Sequence, residues 1–176
     1  DLRTHQFNIK LYDNIILIVV ELNNYFLHDP DKSLIFRRKL QNLLRRDYIL
    51  YYNNNIVILY DFKSSQPFTE TEYKNFEELL NSYKCRAGIS TVFHDLYSLS
   101  EHYRTAREAL YTSQKLNMND PIVQYSDIAL HHILLNYGNQ NDLNHLIHPS
   151  ILTMKKIEAD KNDMYLETIK DYIINN

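Results

Sequence analysis

The residues of this 176-residue chain that could hold or move charge are scattered, and their spacing decides which of them matter. Arg104 and Arg107 stand one helical turn apart beside Glu108, a geometry able to clamp a carboxylate or phosphate. They are the ligand-binding candidates, and pairing with Glu101 or Glu108 is the plainer use of the same charges. The chain has eight histidines. The neighbours His131 and His132 would point about 100° apart on a helix. His145 and His148 would share a metal only on one helical turn, and Pro149 favours an extended backbone at His148. No metal site is therefore expected. Arg37, Arg38, Lys39, Arg45 and Arg46 put five positive charges on one short segment. They would meet phosphate or an acidic surface, or simply form the solvated face opposite Phe36, Leu40 and Leu43. The single cysteine, Cys85, has no partner for a disulfide and reads as a small apolar strand residue. No Ser-His-Asp or Cys-His spacing is found.

Composition narrows the classes further. Nineteen basic residues against 22 acidic ones give a net charge of −3, so there is no global pull toward nucleic acid. Two glycines in the whole chain leave no phosphate-cradling loop, which needs several in a short span. Fifteen tyrosines, among them Tyr25, Tyr48, Tyr51, Tyr52 and Tyr60, suit half-buried strands better than a base-stacking platform, since no basic residues interleave with them in the hairpin segments. The longest apolar run, Ile15 to Val20, is strand-sized and far short of a membrane span. With no leader-like start, the expected location is the cytoplasm.

The elements that must position these residues can be read in order. Ile15 to Val20 is a β-branched run of the kind buried on both faces. Pro30 and Asp31 close the following loop, and a helix spans about Ser33 to Arg46. Tyr48 to Tyr52 and Ile56 to Tyr60 are strands joined through Asn53-Asn54-Asn55, a residue type that tolerates positive φ. Thr69 and Glu72 stand at capping-box spacing before a helix with Tyr73, Phe76, Leu79, Leu80 and Tyr83 inward. Ala87, Ile89 and Val92-Phe93 form a strand, with Gly88 where little side-chain volume fits. Ser98 and Glu101 repeat the capping-box spacing. Leu99, Tyr103, Ala106, Leu110 and Ser113 then fall on one helical face. Ile122-Val123-x-Tyr125 is a fifth strand. Helices follow over Ile128 to Tyr137, Asp142 to Ile147, Pro149 to Ile157 and Asp163 to Ile174.

The order β-α-β-β-α-β-α-β begins with the ferredoxin-like arrangement, so the fold class is α/β (α+β) with a helical tail. Residues 1–125 are expected to form the sheet domain, with its core from about 15, and 126–176 the helical extension. The wording is more specific than the order. Asp95-Leu96, then Tyr103-Arg104-x-Ala106-Arg107-Glu108-Ala109-Leu110, resembles the central domain of bacterial PucR/CdaR transcriptional regulators of purine-catabolism and sugar-diacid type. That domain is a degenerate relative of the GGDEF, or diguanylate cyclase, fold. His148-Pro149, Asp160, Leu166 to Ile169, Tyr172 and Asn175-Asn176 resemble the family's exit toward its C-terminal helix-turn-helix.

The resemblance implies a non-catalytic relay and association domain, with DNA read by a helix-turn-helix absent from this chain. A working cyclase resembles D-x-D at the end of the first strand and glycine and acidic pairs at the hairpin. Here those places read Glu21-Leu22-Asn23 and Asn53-Asn54-Asn55. One carboxylate of two remains, and amides substitute poorly as Mg²⁺ ligands. No catalytic, cofactor-binding, metal or DNA-binding residue is expected, and no cofactor. The expected partners are a second copy of the chain and an unidentified small-molecule effector. An inducer pocket near Arg104 and Arg107 is the alternative function, and an active nucleotide cyclase the remote one.

Overall fold

The computed structural model describes residues 14–27, 29–45, 48–140, 147–161 and 165–174. Five strands form one sheet: β1 (Asn14–Glu21), β2 (Ile49–Tyr52), β3 (Asn55–Phe62), β4 (Arg86–Ile89) and β5 (Ile122–Gln124), in the order β2-β3-β1-β4-β5. Strand β1 lies antiparallel to β3 from Asn14↔Phe62 to Glu21↔Asn55, and antiparallel to β4 from Ile18↔Ile89 to Glu21↔Arg86. Only β4 and β5 run parallel. The first four strands thus have the ferredoxin-like order, and β5 extends it.

The apolar run of β1 takes the sheet's centre because both of its faces are covered. Ile16, Ile18 and Val20 enter a cluster with Phe36, Leu40 and Leu44 of α2 (Pro30–Leu44) and Phe76 and Leu80 of α3 (Glu70–Tyr83). Ile15, Leu17 and Val19 point the other way, into Ala106 and Leu110 of α4 (Leu99–Lys115). This is the period-two alternation of a strand with both faces in apolar contact. Between β1 and α2 runs a single turn, α1 (Asn24–Leu27).

The helix ends follow local chemistry, and two differ from the sequence reading. Thr69 and Glu72 form the expected capping box on α3, each satisfying the other's backbone N–H. Helix α2 begins earlier than expected. Asp29 caps it by accepting from the Lys32 N–H, and Pro30 takes the first helical position, where its missing N–H costs nothing. Pro30 therefore opens a helix and does not close a loop. The second capping box does not form. Asp95 accepts from the N–H groups of Tyr97 and Ser98, starting a 3-10 turn over Leu96–Ser98 one turn before α4. The Ser98 hydroxyl turns back to donate to the Asp95 carbonyl at 3.2 Å and makes no side-chain cap on α4.

At the hairpin Asn53 and Asn54 both adopt positive φ, 48° and 59°, the turn whose twist matches two antiparallel strands. After β4 the described residues make a single isolated bridge, Ile15 to Phe93, and Val92 is exposed. Gly88 lies where an added Cβ would sit 2.0 Å from the Ala106 carbonyl oxygen, so α4 touches β4 backbone to backbone.

The chain divides into two compact units, Asp1–Ile133 and Leu134–Asn176. Helix α5 (Tyr125–Gln140) starts inside the first, where Ile128 is buried with Ala109 and Val123. The second contains α6 (Pro149–Lys161) and α7 (Tyr165–Ile174), where the Leu166 N–H donates to the Glu158 carboxylate. Of the helix expected over Asp142 to Ile147, residues 142–146 lie outside the described residues, as do Arg46, His145, Asp163, Asn175 and Asn176.

Candidate functional site

The two segments set against a working cyclase in the sequence meet at one end of the sheet, built from Glu21, Asn23, the hairpin tip and the start of β4. Glu21 is exposed and stands in register between Asn55 and Arg86. Arg86 is already engaged: its guanidinium donates to the Ser113 hydroxyl at 2.9 Å and to the carbonyls of Met118 (3.1 Å) and Asp120 (3.3 Å). It ties β4 to the loop between α4 and β5. Asn55 is buried and donates to the Asn53 carbonyl at 2.8 Å, closing the hairpin.

Asn23 is the decisive residue. Its amide donates to the carbonyls of Tyr83 (2.8 Å) and Lys84 (3.0 Å), while its oxygen accepts from the Tyr25 N–H (3.0 Å). The two carbonyls are at the C-terminus of α3, where Lys84 adopts the left-handed cap conformation. One side chain therefore starts α1 and closes α3. The amide supplies two donated bonds and accepts one, whereas a carboxylate would face two carbonyl oxygens with no proton to give. Among the described residues no group of three or more His, Cys, Asp or Glu is arranged to hold a metal ion.

The other candidates resolve into separate roles. Arg104 and Arg107 are exposed on α4 and form no ion pair with Glu101 or Glu108 among the described residues. Glu108 instead meets His132 Nε2 at 3.3 Å, and His132 Nδ1 lies 2.8 Å from the Tyr125 hydroxyl, which ties α5 to α4. His131 is exposed. His148 caps α6, its Nδ1 accepting from the Ser150 N–H at 3.2 Å. The basic helix disperses as well: Arg37 lies over the Tyr51 ring, Lys39 over Tyr83, and Arg45 is the left-handed C-cap of α2.

Sequence reasoning missed three residues. Asn23 was readable only as a departure from a two-carboxylate pattern, because its partners are sixty positions away. Arg86 carries no motif. Ser90, whose hydroxyl accepts from the buried Leu17 N–H at 2.9 Å, stands in for a strand carbonyl at the end of β4 and also has no local signature.

On the α4 face a cleft of about 450 Å³ opens between the hairpin and the first turns of α4, with Leu50, Tyr52, Val57, Tyr97, Leu99 and Tyr103 in its walls. The expected apolar stripe of α4 is buried from Ala106 onward, but Leu99 and Tyr103 overhang toward β2 without being fully covered.

In comparison with known proteins, residues 1–112 match the family model described as a GGDEF-like domain. No curated protein and no solved structure matches the chain.

Proposed function

The chain belongs to the GGDEF-like domain family, and we propose that it acts as a non-catalytic relay and association domain of a PucR/CdaR-type transcriptional regulator. The observation that carries the non-catalytic half is the Asn23 amide, held by two carbonyls and one N–H. Metal-assisted phosphoryl transfer needs carboxylates that gather Mg²⁺ and substrate phosphates. The second such position in this chain is occupied by a group that the fold itself consumes. Glu21 alone is a polar strand end.

The regulator half rests on the resemblance at 95–110 and 148–176, most of it beyond the matched residues. In this reading the domain passes a signal to a separate helix-turn-helix that reads DNA, binds no cofactor itself and works in the cytoplasm. Two-fold operators need paired reading heads, which gives a central domain reason to self-associate. Leu130 and Ile133, 66% and 61% exposed on α5, are an apolar pair on which a second copy can close. Among the described residues no helix is long and apolar enough to cross a membrane.

Sedimentation of residues 1–176 tests the association. A dimer is expected, and it should dissociate in a Leu130→Glu, Ile133→Glu double variant, whose substitutions sit at exposed positions. A wild-type monomer at every concentration would contradict it.

A further inference from the structure

We propose that the cleft between the β2–β3 hairpin and the start of α4 binds a small, flat aromatic carboxylate. The inference stands on the cleft alone and survives if the regulator assignment fails. A volume of about 450 Å³ lies in the range of small-molecule sites, and its walls are apolar or aromatic. Leu50 and Tyr52 on β2, and Tyr97 and Leu99 at the entry to α4, leave that apolar surface open to solvent, with Tyr97 81% exposed. Tyr52 lies edge-on against Tyr103, 5.1 Å between ring centroids. The Tyr103 hydroxyl is buried and has no hydrogen-bond partner among the described residues, an unmet group on the very ring that forms the wall. A flat ring entering beside the half-exposed Tyr52 would stack in this aromatic corner, and turning Tyr52 aside would open the hydroxyl to water.

Charge sets the other end of the ligand. Ser100 lines the cleft, and Arg104 follows it by one helical turn, as Arg107 follows Tyr103. Both arginines are exposed and form no ion pair among the described residues. Neither lines the cleft itself, but each stands one turn beyond a wall residue, within reach of an anion held at the cleft's edge. A monoanion fits better than a phosphate dianion. The first N–H groups at this helix entry, those of Tyr97 and Ser98, are already taken by the Asp95 carboxylate, which adds a negative charge to the same end.

Titration calorimetry of residues 1–176 with 1-naphthoate, its methyl ester and 1-naphthyl phosphate tests the proposal. Saturable one-to-one binding of 1-naphthoate is expected, tighter than for the ester or the phosphate. Leu99→Glu should abolish it, and Tyr97→Ala, at the most exposed wall residue, should weaken it while leaving the circular dichroism spectrum unchanged. Arg104→Ala should weaken naphthoate roughly tenfold, the loss of one charge-assisted pair, and leave the ester unaffected. Absence of saturable binding, indifference to Leu99→Glu, or a preference for the ester or the phosphate would overturn the proposal.

Discussion

The side-chain amide of Asn23 donates to the main-chain carbonyl of Tyr83 at 2.8 Å, joining the end of the first strand to the end of a helix sixty positions later. Replacing that amide by a carboxylate would turn two hydrogen bonds into repulsion. Asn23→Asp should therefore cost about 1–3 kcal/mol at neutral pH, the range for leaving buried or half-buried partners unmet. Urea denaturation measures it. A neutral or stabilising substitution would mean that the position is free to ligate metal.

Gly88→Ala should be more damaging than its one added carbon suggests. The new Cβ would meet the Ala106 oxygen at 2.0 Å and Leu110 Cγ at 2.9 Å. Overpacking costs roughly 1–3 kcal/mol, and a backbone obstacle belongs at or above the top of that range. Trimming the side chain in a Gly88→Ala, Leu110→Ala double variant should give no rescue in the same denaturation experiment, because the oxygen remains.

The thiol of Cys85 should be inert in the folded protein. It is buried, and burial pushes its pKa up from 9.0 to about 11. Very little thiolate is present at pH 8, and iodoacetamide reacts with the thiolate. Mass spectrometry should find Cys85 unlabelled in buffer and rapidly labelled in urea.

His102 gives the fold a mild acid sensitivity. Its ring stacks on Phe93, 4.1 Å between centroids, and burial lowers its pKa below the ordinary 6.5. A base with a lowered folded pKa binds fewer protons folded than unfolded, so stability rises with pH across the interval between the two values. The contribution is complete above about pH 6.5 and is lost as the pH falls toward the folded value. His102→Phe keeps the stacking and removes the titration. The stability of the wild type relative to this variant should fall on acidification through that window, as denaturation at several pH values will show.

The sheet and its order were legible because their causes are local. A run of six β-branched or leucine side chains has no solvent face, so Ile15 to Val20 had to be central, and asparagines at 53 and 54 had to take the positive φ of the hairpin. The Thr69–Glu72 box was legible for the same reason. The Ser98–Glu101 box failed because Asp95 takes the Ser98 N–H that Glu101 would need and draws the Ser98 hydroxyl back to its own carbonyl, a competition that spacing alone does not rank. The site was less legible. The loss of a carboxylate at position 23 was visible, but what the amide does there depends on where α3 ends. A pocket near Arg104 and Arg107 was expected from the charges alone, but the walls of the cleft were not legible, since it arises where α4 overhangs the sheet edge and no periodicity marks how far a helix extends past its support.

We propose that this GGDEF-like domain does no nucleotide chemistry. Residues 1–176 incubated with GTP and Mg²⁺, followed by chromatography of the nucleotides, test it most directly. The account predicts no cyclic dinucleotide above a no-protein control. Clear turnover that disappears in Glu21→Ala would contradict it.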